Sequence, residues 1–183
     1  MRIFSIVFLA ALALAGCAPA PIIGADGKPV QQLYRIGPGE TAEIQYRMLD
    51  AVNALRAANG APALQLDSSL NAAAATHSRD MSVQNRPWHF GSDGSSPLER
   101  VARAGYDGRF LGENISETYE TEIETLAAWM ENPNTRNVIL DSKAREMGFS
   151  FFQEPHGKIW WTLVTGTPEA PADVITGSRP AQG

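Results

Sequence analysis

Cys17 has no second cysteine to pair with, so no disulfide forms within the chain and the fold must stand on packing. Positive charge is also in short supply: 15 Lys and Arg stand against 20 Asp and Glu, for a net charge of −5. That acidic balance argues against a nucleic-acid partner, whose footprint is a cluster of cations. Long apolar runs are missing as well. The longest, Ile3 to Leu14, falls short of the roughly 20 residues that a membrane-spanning helix needs. Nor is there a His-Glu-x-x-His, a Gly-x-Ser-x-Gly or a P-loop glycine-lysine signature, which removes three common routes to hydrolysis and nucleotide binding. Histidine is confined to His77, His89 and His156.

What is present begins with an export signal. Arg2 precedes the Ile3–Leu14 run and small residues follow it, as in a secretory signal peptide. Leu14-Ala15-Gly16-Cys17 resembles the lipobox of bacterial lipoproteins. The resemblance implies that residues 1–16 are a lipoprotein signal peptide and that the Cys17 sulfur carries a diacylglycerol, with acyl chains such as palmitate supplying the anchor. The expected partner of Cys17 is therefore a membrane, and the expected location is extracytoplasmic. Ala18 follows in place of the aspartate that retains such proteins in an inner membrane, so in a cell with two membranes the outer one is expected. Residues 17–39, rich in Pro, Gly and Ala, read as a flexible tether, residues 40–165 as one folded domain, and residues 166–183 as a disordered tail.

Inside the domain, Ile44, Met48, Val52 and Leu55 mark one stripe of a first helix closed by Asn59-Gly60. Asp67 caps a second helix, and Ser96-Pro97-Leu98-Glu99 opens a third with a capping box and a proline in its first turn. A fourth starts at Thr121 with Glu124 as its box partner, lays Ile123, Leu126, Ala127 and Met130 on one face, and breaks at Pro133. Then the period changes to two. "EMGFSFFQ" and "KIWWTLVTG" read as a hairpin, with Ile159, Trp161 and Leu163 on one face and Trp160 and Thr162 on the other. A shorter strand passes through "RFLGENIS". Helices set ahead of a small antiparallel sheet indicate an α+β sandwich.

Among groups that carry chemistry, His77 shares its helical face with Leu70, Ala73, Ala74 and Met81 and reads as a core histidine. His89 sits between Trp88 and Phe90 at the mouth of a loop, where it suits either a turn or a cleft. Glu113, flanked by Gly112 and Asn114 in an otherwise apolar strand, demands a cationic or hydrogen-bonding partner, and an imidazole would serve. The periodicity does not say which histidine.

Taken in order, "ALRAANGAPALQLDSSLNAAAATHSRDM", "WHFGSDGSSPLERVARAGY", "LGENIS", "LAAWMENPNTRNVIL", "MGFSFF" and "IWWTLV" resemble the bacterial branch of the CAP, or SCP-like, superfamily over about residues 44–165. That resemblance implies a three-layer α-β-α sandwich around a small central antiparallel sheet. It also implies an extracellular setting and a cavity of two histidines and two glutamates that in some members holds a divalent metal. His89 and Glu113 match two of the four. Trp160 and Thr135 stand where relatives often have histidine, and Glu131 lies one position from the second glutamate.

The resulting expectation is a monomeric, non-catalytic binding module for a small apolar ligand, a lipid or a cell-wall component, with His89, Glu113, Trp88 and Trp160 in its cavity. Phe90 and Trp161 are further candidate wall residues. The alternative is a peptide or ester hydrolase using His89 and Glu113 as its acid–base pair. No cofactor is required; a weak divalent site such as zinc would use His89, with His156 as a remote extra ligand.

Overall fold

The computed structural model describes residues 34–118 and 121–169. The signal segment, Cys17, and the tail beyond residue 169 lie outside the described residues, as do Tyr119 and Glu120.

Helix α1 (Thr41–Ala58) buries Ile44, Met48 and Val52 as the spacing predicts, but its fourth buried residue is Arg56, not Leu55. The Arg56 guanidinium is fully buried and donates to four carbonyls: Pro62 at 2.7 Å, Ile139 at 2.6 Å, Asp141 at 3.1 Å and Ala144 at 3.1 Å. It replaces water around chain segments that share no regular hydrogen-bond ladder. A two-residue strand β1 (Gln65–Leu66) leads into α2 (Ser68–Gln84), where the Asp67 carboxylate accepts the Leu70 N–H at 2.8 Å. Helix α3 (Pro97–Arg103) opens with the Ser96/Glu99 capping box, and strand β2 (Arg109–Ser116) follows.

Helix α4 (Glu122–Glu131) has its Thr121/Glu124 box but buries a different face from the expected one: Glu122, Thr125, Leu126 and Trp129 turn inward and Ile123 is 46 % exposed. Trp129 decides the rotation. Its ring meets Phe149 edge-on at 6.5 Å while its Nε1–H donates to the Ile115 carbonyl at 3.1 Å, so one side chain supplies both apolar area and a satisfied donor. Pro133, expected only to end α4, also stands at the start of α5 (Pro133–Leu140), capped by Asn132. Strands β3 (Glu146–Gln153) and β4 (Ile159–Thr167) complete the order.

The sheet runs β1-β3-β4-β2, with β3–β4 and β4–β2 antiparallel. It is mixed and not purely antiparallel, because β1 joins the β3 edge in parallel through Gln65 and Leu66. A strand of that length is too short to leave a period-two pattern. One face packs α1, α4 and α5 on Phe149, Ile159, Trp161 and Leu163; the other packs Leu70, Ala73 and Ala74 of α2 and Val101 of α3 on Val164. The three layers are therefore α, β and α, an α+β sandwich. At Gly148 a β carbon would collide with the Leu70–Asn71 backbone, so the glycine sets how closely α2 lies on β3.

The folded part is longer than residues 40–165. Tyr34 and Ile36 pack against the larger core, the Gln153 amide donates to the Tyr34 carbonyl at 2.8 Å, and β4 continues to Thr167.

Candidate functional site

Four side chains from four elements converge on the α2–α3 face of the sheet. Glu113 is in the middle of β2, opposite Val164, and its side chain is 2 % exposed. Gly112 before it lets α5 come close: a β carbon there would lie 2.9 Å from a Val138 methyl. His77 comes from the buried stripe of α2 with Leu70, Ala73, Ala74 and Met81, as its spacing predicts. His89 comes from the loop that leaves α2 at Asn85, a left-handed residue with φ 48°. That loop is tied back to α2. Trp88 donates Nε1–H to Gln84 at 2.7 Å, Gln84 reaches the Phe90 carbonyl at 3.2 Å, and Ser92 N–H donates to Asp80 at 2.6 Å. The fourth member, Arg100, is delivered by α3.

His89 Nδ1–H donates to Glu113 Oε1 at 2.9 Å, since a carboxylate only accepts. Arg100 Nη2 donates to Glu113 Oε2 at 2.7 Å and to the His89 carbonyl at 3.3 Å. Both Glu113 oxygens are thus committed to donors of this chain. His77 Nε2–H donates to the Trp88 carbonyl at 3.0 Å and lies 3.7 Å from Glu113 Oε1. Burial pushes the His77 imidazole below its ordinary value of 6.5; Glu113 opposes the shift and Arg100 adds to it. The ring is neutral at neutral pH, so its contact with Glu113 is not an ion pair. Its Nδ1 is left as a buried lone pair with no partner among the described residues.

The residues alone left Glu113's histidine open and the family resemblance set His89 beside it; the structure brings the two together. Arg100 was missed. The only signal was the requirement of a buried carboxylate for a cation, and that requirement does not say which arginine supplies it. The aromatic groove is smaller than expected. Trp160 and Trp161 are fully buried, Trp161 stacked on Phe149 at 5.6 Å and Trp160 donating Nε1–H to Glu154 at 2.6 Å, so neither lines an open surface. Trp88 is half-buried under Arg86, whose guanidinium lies 3.9 Å from the ring centre, and Phe90 is 47 % exposed beside it. His156 is at the hairpin tip, paired with Glu154 at 2.9 Å and not with His89. Thr135 donates to the Trp129 carbonyl at 2.6 Å and serves the α4–α5 junction, while Glu131 is exposed.

The residues do not suit a divalent cation. A metal at Glu113 would have to displace either the Arg100 guanidinium or the His89 N–H, and His77 turns its Nε2–H to a backbone carbonyl. Among the described residues no group of three or more His, Cys, Asp or Glu side chains is placed to hold a metal ion. What the site offers outward is His89 Nε2, on a ring whose side chain is 51 % exposed and oriented by a carboxylate from behind.

Comparison with known proteins agrees with this architecture. The chain is 28 % identical over 123 residues to the uncharacterized protein YkwD of Bacillus subtilis (strain 168), covering 67 % of this chain and 47 % of that relative, which is about half its length. An outer surface protein of Borrelia burgdorferi superposes with a TM-score of 0.63 at 16 % identity, over 75 % of this chain and all of that one. An extracellular SCP-domain protein of Bacillus anthracis superposes with a TM-score of 0.63 at 19 % identity, over 72 % of this chain and 44 % of the other. These structural likenesses show the shared fold. The sequence profile of the CAP cysteine-rich secretory proteins matches residues 49–165, and the chain belongs to that family.

Proposed function

We propose that this CAP domain is a lipid-anchored, extracytoplasmic binding module and that Glu113 is an internal counter-ion and not a catalytic base. The observation that carries the reading is the commitment of both Glu113 oxygens, one to Arg100 at 2.7 Å and one to His89 at 2.9 Å, on a side chain 2 % exposed. A general base must lie within reach of the proton that it takes, and a carboxylate shut behind Arg100 and His89 does not meet a substrate. Glu113 instead fixes the His89 ring and, through Arg100, the loop backbone around it. The recognition surface is then His89 and the exposed Phe90 ring, with the half-buried Trp88 beside them under Arg86, which suits a small apolar ligand, a lipid or an envelope component with a hydrogen-bonding head. Attachment is assigned to Cys17 because Leu14-Ala15-Gly16-Cys17 resembles a lipobox.

Two measurements test this. Cys17→Ala should move the protein from the detergent phase to the aqueous phase in a partition assay, and an intact mass showing unmodified Cys17 in the native protein counts against the anchor. His89→Ala should weaken binding of small apolar ligands, while the parent protein and Glu113→Gln should alike show peptide and ester turnover at the uncatalysed level; turnover in the parent that is lost in Glu113→Gln overturns the counter-ion reading.

One observation favours a second reading. An imidazole held at Nδ1 by a carboxylate with Nε2 facing solvent is the orientation of a general base, and a hydrolase would use His89 so. Turnover lost in His89→Ala would establish it.

A further inference from the structure

The described chain begins beside the β3–β4 hairpin. Gln153, the last residue of β3, donates its amide N–H to the Tyr34 carbonyl at 2.8 Å and accepts the Ile36 N–H at 3.0 Å. The C-terminus of α2 reaches the same hairpin from the other face of the sheet. Ser82 donates to Glu154 at 2.7 Å, and Lys158 Nζ donates to Asn85 Oδ1 at 3.4 Å. Chain entry, hairpin and the end of α2 therefore share one end of the domain.

That end also exposes large apolar groups next to one another. Val83, on the last turn of α2, is 75 % exposed. Gln84 after it accepts the Trp88 Nε1–H and donates to the Phe90 carbonyl, and the Trp88 and Phe90 rings lie 5.5 Å apart. Arg86 is exposed above Trp88, and Arg35, also exposed, adjoins Tyr34 where the chain enters. Neither arginine is in an ion pair among the described residues. The neighbouring acids are occupied, Glu154 by Ser82, Trp160 and His156, and Glu117 by Lys158. Contiguous apolar side chains rimmed by free cations match the boundary of a bilayer, where rings and aliphatic groups leave water and arginine meets phosphate.

We propose that this end of the domain lies on the lipid surface, with Val83 and Phe90 entering the boundary with the acyl chains and Arg35 and Arg86 at anionic headgroups. Cys17 precedes Tyr34 by 17 positions, at most about 60 Å of chain, so an acyl anchor on Cys17 draws the domain in by the end that carries the patch. The partner is the bilayer itself, and no pocket for a single lipid is needed. This deepens the binding-module reading by naming its partner, and it rests on that reading for the acyl anchor.

The test has two arms. In the first, the mature lipoprotein carrying Val83→Cys, or Lys143→Cys in the turn before β3 at the opposite end, is labelled with bimane and placed in vesicles of phosphatidylcholine brominated on its chains. Quenching should be about threefold or more greater at Val83→Cys. In the second, residues 17–183 with Cys17→Ser are mixed with vesicles of equal phosphatidylglycerol and phosphatidylcholine. Saturable partitioning is expected, weakened about fivefold or more by Val83→Ser, by Phe90→Ser and by Arg86→Ser. Because this arm carries no acyl chain, its result stands whether or not Cys17 is lipidated in the native protein. Equal quenching at the two labelled positions, no partitioning in the second arm, or partitioning undiminished by the three variants overturns the proposal.

Discussion

Arg100 and Glu113 meet at 2.7 Å with side chains only 6 % and 2 % exposed, so the charge pair at the centre of this CAP domain is shut away from solvent. A buried pair of this kind adds little net stability over an apolar pair, yet removing one partner strands the other. The pair joins α3 to β2 and, through the His89 carbonyl, pins the loop that carries the exposed imidazole.

Arg100→Met should therefore destabilise the domain by about 3–5 kcal/mol, because the buried Glu113 loses its guanidinium partner and keeps only the His89 N–H. The double variant Arg100→Met/Glu113→Leu should recover a large part of that loss. Urea unfolding of the two single variants and the double variant gives the coupling directly. Additive losses would show that the two side chains do not share one interaction.

His77 should make stability fall on mild acidification. Its native pKa is depressed by burial below the ordinary 6.5, so the unfolded chain binds the proton more readily than the folded one. Stability is then full above about pH 6.5 and declines as pH drops toward the lowered native value. Thermal melts between about pH 7 and pH 5 should show the decline, and His77→Gln should flatten it. Asp93 and Glu99 are also held below their ordinary values, but those carboxylates act in a more acidic range.

Arg56 should tolerate no replacement, including lysine. Four carbonyls converge on its guanidinium, and one ammonium cannot span them. Arg56→Lys should cost more than about 2 kcal/mol and Arg56→Ala more than about 3 kcal/mol by chemical denaturation, since buried acceptors are left unpaired. A lysine variant as stable as the parent would remove the planar-fork explanation.

Zinc should bind poorly. With Glu113 held by Arg100, only His89 Nε2 is offered outward, and one protein ligand is far from the three of a catalytic zinc centre. Calorimetric titration should give a dissociation constant weaker than about 1 μM, unchanged by His156→Ala. Tight stoichiometric binding lost in His89→Ala would contradict the commitment of Glu113 to Arg100.

Much of the fold was legible in the chain because its signals are local. The Asp67, Ser96 and Thr121 caps bond to donors three residues away, and the alternation of Ile159, Trp161 and Leu163 against Trp160 and Thr162 assigns the two faces of β4. The demand of Glu113 for a partner was equally visible, since an acid in an apolar strand cannot stay alone. Which partner it has was not visible. Arg100 is 13 positions away and reaches Glu113 only after α3 is laid beside β2. The same holds for α4, where Trp129 outweighs Ile123 because Phe149 and the Ile115 carbonyl are waiting across the layer, and for Trp160, whose burial depends on what α2 covers. Periodicity and caps, which act within a turn or a strand, determined the elements and their faces. The choice among possible partners for a buried charge or a large ring belonged to the packing of layers, because that energy exists only once distant segments exclude water from the same space.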